Sequence, residues 1–154
     1  MTLSITNQNL LASKNCQDGY VEKSFAEECP LNILIAEDNI VNQKLIERIL
    51  RKLGYQTDTA SDGIQVLNFI VRKEYHVILM DVRMPEMDGL EATHAIRQMG
   101  IKQPYIIAMT ANAMSKDREE CLENGMNDYM SKPLSTDMII NSLKKGYTYF
   151  TQKI

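Results

Sequence analysis

Val77-Ile78-Leu79-Met80-Asp81-Val82-Arg83-Met84-Pro85 is the stretch that decides the fold. Four apolar residues in a row leave no polar face. Bounded by a chain break at Met84-Pro85, they read as a short strand buried on both sides, the central strand of a parallel sheet. Such a strand needs a layer of helices above and below it. The flanking sequence supplies both. Val66, Leu67, Ile70 and Val71 recur at helical spacing before it, opened by Asp62-Gly63. Ala92, Ala95, Ile96 and Met99 do the same after it, opened by Asp88-Gly89.

Further out, the alternation repeats. Upstream, Ile33-Leu34-Ile35-Ala36 is a strand, and Asp38-Asn39 caps a helix carrying Val41, Leu45, Ile46, Ile49, Leu50 and Leu53, stopped by Gly54. Tyr55 to Ala60 is a more polar strand, suited to a sheet edge. Downstream, Tyr105 to Met109 is a strand, Ser115 to Asn124 a helix, Asp128 to Ser131 a short strand, and Ser135-Thr136 opens a last helix with Ile139, Ile140, Leu143 and Tyr147. Five strands alternating with five helices give an α/β fold, a doubly wound parallel sheet covered on both faces.

Composition narrows the function. The 154 residues are 44% hydrophobic and 24% charged, which excludes wholesale disorder. A net charge of −3 gives no general attraction to nucleic acid or anionic lipid. The longest apolar runs fall far short of the roughly 20 residues of a spanning helix, and the start lacks a secretory signal. Cys16, Cys29 and Cys121 are odd in number without CxxC spacing, which fits a reducing cytoplasm. Cys121 reads as a core thiol, the ten methionines as packing, and His76 and His94 have no ligand-spaced partner. Residues 1–29 hold Asn7, Gln8, Asn9, Ser13, Asn15, Gln17 and Ser24 without a sustained period; they read as a flexible tail or linker, with Pro30 at the border of a domain over 30–152.

In open parallel sheets, ligands sit beyond the carboxyl ends of the strands. Here those ends carry Glu37-Asp38, Asp81, Thr110 and Ser131-Lys132-Pro133. Three carboxylates brought together repel one another unless a hard cation joins them. Mg²⁺ takes oxygen ligands and is commonly held by one or two carboxylates plus a phosphate. Lys132 adds a point charge and Thr110 a hydroxyl for the same phosphate. The set suits phosphoryl transfer onto a carboxylate, with Asp81, at the end of the central strand, as nucleophile.

Ile35-Ala36-Glu37-Asp38-Asn39, Met80 to Gly89, Met109-Thr110-Ala111 and Tyr129-Met130-Ser131-Lys132-Pro133 together resemble the receiver domain of two-component signalling, over roughly Leu31 to Phe150. Glu37-Asp38-Asn39, Val41-Asn42-Gln43 and Thr110-Ala111-Asn112-Ala113 are most similar to receivers of hybrid sensor histidine kinases. The resemblance implies a flavodoxin-like sheet of strand order 2-1-3-4-5, with Asp81 taking a phosphoryl group from phosphohistidine. It implies Mg²⁺ held by Glu37, Asp38, Asp81 and the backbone carbonyl of Arg83. It further implies that Thr110 and Lys132 contact the phosphoryl oxygens, that Thr110 and Tyr129 form the switch pair, and that Lys132-Pro133 is a cis bond. The acidic pair is Glu-Asp where Asp-Asp is commonest, so one arm is a methylene longer.

The implied partners are a kinase phosphohistidine and a histidine phosphotransfer protein, docking on the helix from Asn39 to Leu53, with no nucleic acid and no membrane contact. The domain reads as a signalling module rather than an enzyme, one piece of a longer hybrid kinase in preference to a stand-alone receiver. An Mg²⁺-dependent small-molecule phosphatase or phosphotransferase is the rival. It usually places its nucleophile after the first strand in a DxD pattern and adds a cap insertion; neither is present here.

Overall fold

The structure, a computed structural model, describes residues 23–111 and 114–152. Residues 1–22, most of the segment read as a linker, and Asn112-Ala113 lie outside the described residues. The elements run α1 (Phe25–Glu28), β1 (Ile33–Ala36), α2 (Ile40–Lys52), β2 (Asp58–Ala60), α3 (Gly63–Ile70), β3 (Val77–Asp81), α4 (Gly89–Arg97), β4 (Tyr105–Thr110), α5 (Ser115–Glu123), β5 (Asp128–Ser131) and α6 (Thr136–Thr151). The five strands form one parallel sheet in the order β2-β1-β3-β4-β5.

The strands' period-two alternation sorts the core into two layers. Leu34, Ala36, Ile78, Met80, Ile106 and Ala108 join Val66 and Ile70 of α3, Ala92 and Ile96 of α4 and Cys121 of α5. Ile33, Ile35, Val77, Leu79, Ile107 and Met109 face the other way, onto Ile46 and Leu50 of α2 and Ile139 and Leu143 of α6. Every residue of β1, β3 and β4 is buried, as strands apolar on both faces require.

The helices start where the sequence placed caps. The side chains of Asn39, Asp62, Asp88 and Ser135 each accept the backbone N–H three residues on, satisfying amides the first turn leaves unpaired.

Two boundaries differ from the sequence reading by more than two residues. β2 begins at Asp58 rather than Tyr55. Gly54 has φ 104°, and the Tyr55 N–H turns back to the Leu50 carbonyl at 2.9 Å, so the chain is still closing α2 there. The second is a correction. Residues 24–29, assigned above to the linker, form the helical turn α1, a sixth helix, docked on the domain by the Ala26 N–H to the Leu53 carbonyl at 2.9 Å. Four residues are too few for a hydrophobic period, so the turn had no periodic signal. The Ser24-x-x-Glu27 capping box was the readable trace.

Candidate functional site

β1 and β3 pair with Ala36 opposite Met80, so the next residues along, Glu37 and Asp81, emerge side by side at the carboxyl edge. β4 places Met109 opposite Asp81, and β5 places Ser131 opposite Thr110. Lys132 follows directly, its N–H donating to the Thr110 carbonyl at 2.8 Å. Sheet register alone therefore gathers residues 37, 81, 110 and 132. Glu37 is 1% and Asp81 6% exposed.

The Lys132 ammonium donates to Glu37 Oε1 at 2.8 Å and lies 3.2 Å from Asp81 Oδ2. Glu37 Oε2 accepts the Asn39 N–H at 3.1 Å. Asp81 Oδ1 accepts the Arg83 N–H at 3.3 Å. One cation thus answers for two buried carboxylates, whose oxygens lie within 4.8 Å of each other. Burial, then the bond to Glu37 and its charge, push Asp81 up to about 6 despite Lys132. Burial also pushes Glu37 upward, but hydrogen bonds from Lys132, Asp81 and the Asn39 amide outweigh it and hold Glu37 below the ordinary carboxylate range. Burial works against the Lys132 charge, and the two carboxylates more than offset it, raising its pKa. The pair therefore behaves as an ionised Glu37 beside a more proton-retaining Asp81.

Asp38 is exposed at the mouth, and oxygens of Glu37, Asp38 and Asp81 lie within 4.8 Å of one another. Three hard oxygen donors so close suit a divalent cation of the Mg²⁺ type. Arg83, directly past β3, has an exposed side chain. A cleft of about 190 Å³ runs from Asp81, Thr110 and Lys132 toward Asp117, Glu120 and Cys121 of α5. Thr110 is buried. Tyr129 pairs with Ala108, two positions before Thr110's partner, so both side chains belong to the sheet face that α5 covers. The Arg118 guanidinium of α5 stands 5.1 Å from the centre of the Tyr129 ring, a cation–π distance. The Lys132-Pro133 bond is cis.

The loop after β3 is tightly seated. The Gly89 N–H donates to the Val82 carbonyl at 2.9 Å, and a Cβ at Gly89 would stand 2.3 Å from the Asp81 carbonyl oxygen. Only glycine allows that approach. Glu86 takes φ 67° within this loop, a conformation uncommon outside glycine.

One residue of the site was missed in the sequence. Gln43 donates its side-chain amide to the Glu37 carbonyl and fixes the backbone that presents Glu37. It is buried with Ile46 and Leu50 on the inward stripe of α2. A polar residue at a core-facing helical position was the available signal.

The doubly wound parallel sheet thus carries a lysine-bridged acidic cluster at its carboxyl edge, an α/β module whose oxygen donors suit a divalent cation. Residues 33–144 match the response regulator receiver domain, and the chain belongs to that family, as a receiver domain of the two-component phosphorelay type. It is 42% identical over 141 residues to hybrid signal transduction histidine kinase I of Dictyostelium discoideum, covering 86% of this chain and 8% of that protein. It is 38% identical over 133 residues to sensor histidine kinase RcsC of Escherichia coli strain K12, covering 86% of this chain and 14% of that one. The chain therefore spans only a small part of these relatives.

Among solved structures, it resembles the receiver domain of sensor histidine kinase PA1611 from Pseudomonas aeruginosa. The two are 45% identical with TM-score 0.71, over 76% of this chain and 97% of that one, and that crystal has a magnesium ion coordinated in its active site cleft. It also resembles the Saccharomyces cerevisiae Ssk1 receiver co-crystallised with the histidine phosphotransfer protein Ypd1. There the identity is 28% and the TM-score 0.72, over 77% and 90% of the two chains. Membership of this family displaces the small-molecule phosphatase alternative.

Proposed function

We propose that Asp81 accepts a phosphoryl group from a phosphohistidine and that this modification switches the domain's affinity for partners. The observation that carries the reading is the Lys132 ammonium, 2.8 Å from Glu37 and 3.2 Å from Asp81 at the carboxyl edge of the sheet. In the transfer, an Asp81 carboxylate oxygen attacks phosphorus. The O–P bond forms as the N–P bond breaks, and the electron pair remains on the imidazole nitrogen. An ionised carboxylate has no proton to lose, so no general base is required; the work left is in-line positioning and charge neutralisation. Lys132 follows the negative charge onto the phosphoryl oxygens, and the Thr110 hydroxyl donates to another of them. Glu37, Asp38, Asp81 and the Arg83 backbone carbonyl are the groups that would hold Mg²⁺, which when bound supplies neutralisation of the transferring group.

The switch runs through Thr110 and Tyr129, which share the sheet face under α5. As Thr110 is drawn to the phosphoryl group, Tyr129 turns inward and its contact with Arg118 is remade. The domain acts as a module, whose own chemistry is acceptance and slow loss of its phosphoryl group, on the cytoplasmic side of a larger kinase. Among the described residues no helix is long and apolar enough to cross a membrane.

The donor and the recipient are a sensor kinase phosphohistidine and a histidine phosphotransfer protein. The first turn of α2, beside the acidic cluster, exposes Ile40 at 62% and Val41 at 73%, an apolar patch that a partner's helix would cover. The test is incubation with Mg²⁺ and acetyl phosphate, followed by intact mass. A gain of one phosphoryl group, about 80 Da, is expected for the native chain and none for Asp81→Asn. Modification that survives the substitution would move the site elsewhere.

A further inference from the structure

We propose that residues 24–29 are a clip that fastens the incoming chain to the pole of the domain opposite Asp81. The clip thereby sets the direction from which any preceding segment meets the receiver. A four-residue helix does not hold itself in water, so its order has to come from what it touches. The Ser24 Oγ accepts the Glu27 N–H at 3.2 Å and the Ser24 N–H donates to the Glu27 carboxylate at 2.8 Å, closing the turn locally. Three further contacts bind it to the domain. The Ala26 N–H donates to the Leu53 carbonyl at 2.9 Å, the Tyr55 hydroxyl donates to the Cys29 carbonyl at 2.6 Å, and the Phe25 ring stands edge-on to the Tyr55 ring with centroids 6.2 Å apart. Phe25 and Ala26 pack on the core layer of α2 and α6.

The receiving surface is shaped for this segment. Leu53 is the C-cap of α2, and carbonyls at a helix end lack partners within the helix; the clip supplies one. At Gly54, φ is 104° and a Cβ would stand 2.9 Å from Ser24 Oγ and 3.0 Å from the Ala26 Cβ. A side chain there would push the clip off.

Position gives the clip its consequence. α2 starts next to Glu37 and runs 13 residues back along the sheet, about 20 Å at helical rise. Its last turn, and the clip on it, therefore lie at the amino-terminal edge of the strands, with Asp81 at the other. A phosphohistidine carried earlier in the same chain has to come around the length of the domain. A separate protein meets the acidic cluster and the Ile40–Val41 patch unobstructed. That consequence rests on the phosphoacceptor reading; the clip does not.

The test uses the full 154-residue chain. In the native protein the Ala26 amide should exchange at least about tenfold more slowly than in a peptide of residues 20–30. Phe25→Ala, and separately Ala26→Pro, which removes the N–H donor and disfavours the helical turn at Phe25, should release the segment. Phe25→Ala should erase the Ala26 protection, Ala26→Pro should return Lys23–Cys29 to fast backbone motion, and each should lower Tm by about 2–5 °C. With Cys16 and Cys29 replaced by serine, a spin label on Lys23→Cys should broaden the amides of residues 53–55 and spare those of residues 84–88. Both clip variants should still gain one phosphoryl group from acetyl phosphate. Native Ala26 exchanging at the peptide rate, or a label that broadens both poles alike, overturns the clip. A native chain that takes no phosphoryl group overturns the acceptor reading and leaves the clip standing.

Discussion

Asp81→Asn should make the metal-free domain more stable. Asp81 holds its proton to about pH 6 in the fold, against an ordinary value of 3.8. An acid whose folded pKa is raised binds protons more tightly folded than unfolded. Stability from this group is therefore greatest below about pH 4 and falls as pH rises through the interval to about 6. At neutral pH the ionised carboxylate is a standing cost. The shift of about two units corresponds to roughly 3 kcal/mol at most. Asparagine removes the charge, can still donate to Glu37, and leaves Lys132 its 2.8 Å bond to Glu37. It forfeits the Asp81–Lys132 attraction, so the expected gain is about 1–2 kcal/mol, or about 3–8 °C in Tm for a domain of this size.

The assay is thermal unfolding by circular dichroism at pH 7.5 in chelator, repeated at pH 4.5. The gain should shrink at pH 4.5, where the native side chain is already protonated. Added Mg²⁺ should raise the native Tm by mass action and raise that of the variant less. A variant that melts below the native protein at pH 7.5, or a gain of equal size at both pH values, refutes the reasoning.

Mg²⁺ affinity measured by calorimetry should fall by up to about tenfold per unit as pH drops below about 6, because Asp81 must lose its proton to become a ligand; a flat affinity from pH 5 to 7 would contradict this. Arg97→Ala should cost about 2–4 kcal/mol in urea unfolding, since its guanidinium donates to Gly125, Gln103, Pro104 and Asn127 oxygens at 2.7–2.9 Å and ties α4 to β4 and the α5–β5 turn. Gly89→Ala, with no room beside the Asp81 carbonyl, should destabilise by about 2 kcal/mol or more and slow uptake from acetyl phosphate. Ile40→Asp with Val41→Asp should leave that uptake unchanged and slow transfer from a phosphohistidine protein by about tenfold or more.

Much of this was legible because the decisive elements are extreme. β1, β3 and β4 are apolar on both faces, and only a covered parallel sheet accommodates three such strands. Glu37, Asp81 and Thr110 were legible as candidates because each sits where such a run ends, and Lys132 because it stands in Ser131-Lys132-Pro133 just past the short fifth strand. What the sequence did not carry is either too short or too collective. α1 has four residues, and its order comes from Leu53 and Tyr55, some 26 positions away. β2 was read three residues too long because Tyr55, a good strand former, is used instead to close α2 and brace the clip. Gln43 was quoted only within Val41-Asn42-Gln43 and given no site role, although its place one turn before Ile46 put it on the buried stripe.

The opposed pKa directions of Glu37 and Asp81 were the least accessible, since they depend on register. The pairing of Ala36 with Met80 puts the two acids abreast; a slip of one residue would turn one of them to the opposite face. The longer acid at position 37 then matters. Its Oε2 folds back to the Asn39 amide while Oε1 reaches Lys132, so without a metal the site is partly neutralised from within. Lys132 is thereby committed to the carboxylates until a cation takes them over. A group that is to follow charge onto an incoming phosphoryl must first be released from its present partners. On the proposed acceptor reading, the affinity of this edge for Mg²⁺ and the readiness of Lys132 to meet a phosphoryl group are therefore coupled, and Glu37→Asp, which shortens the bridge, should change both together.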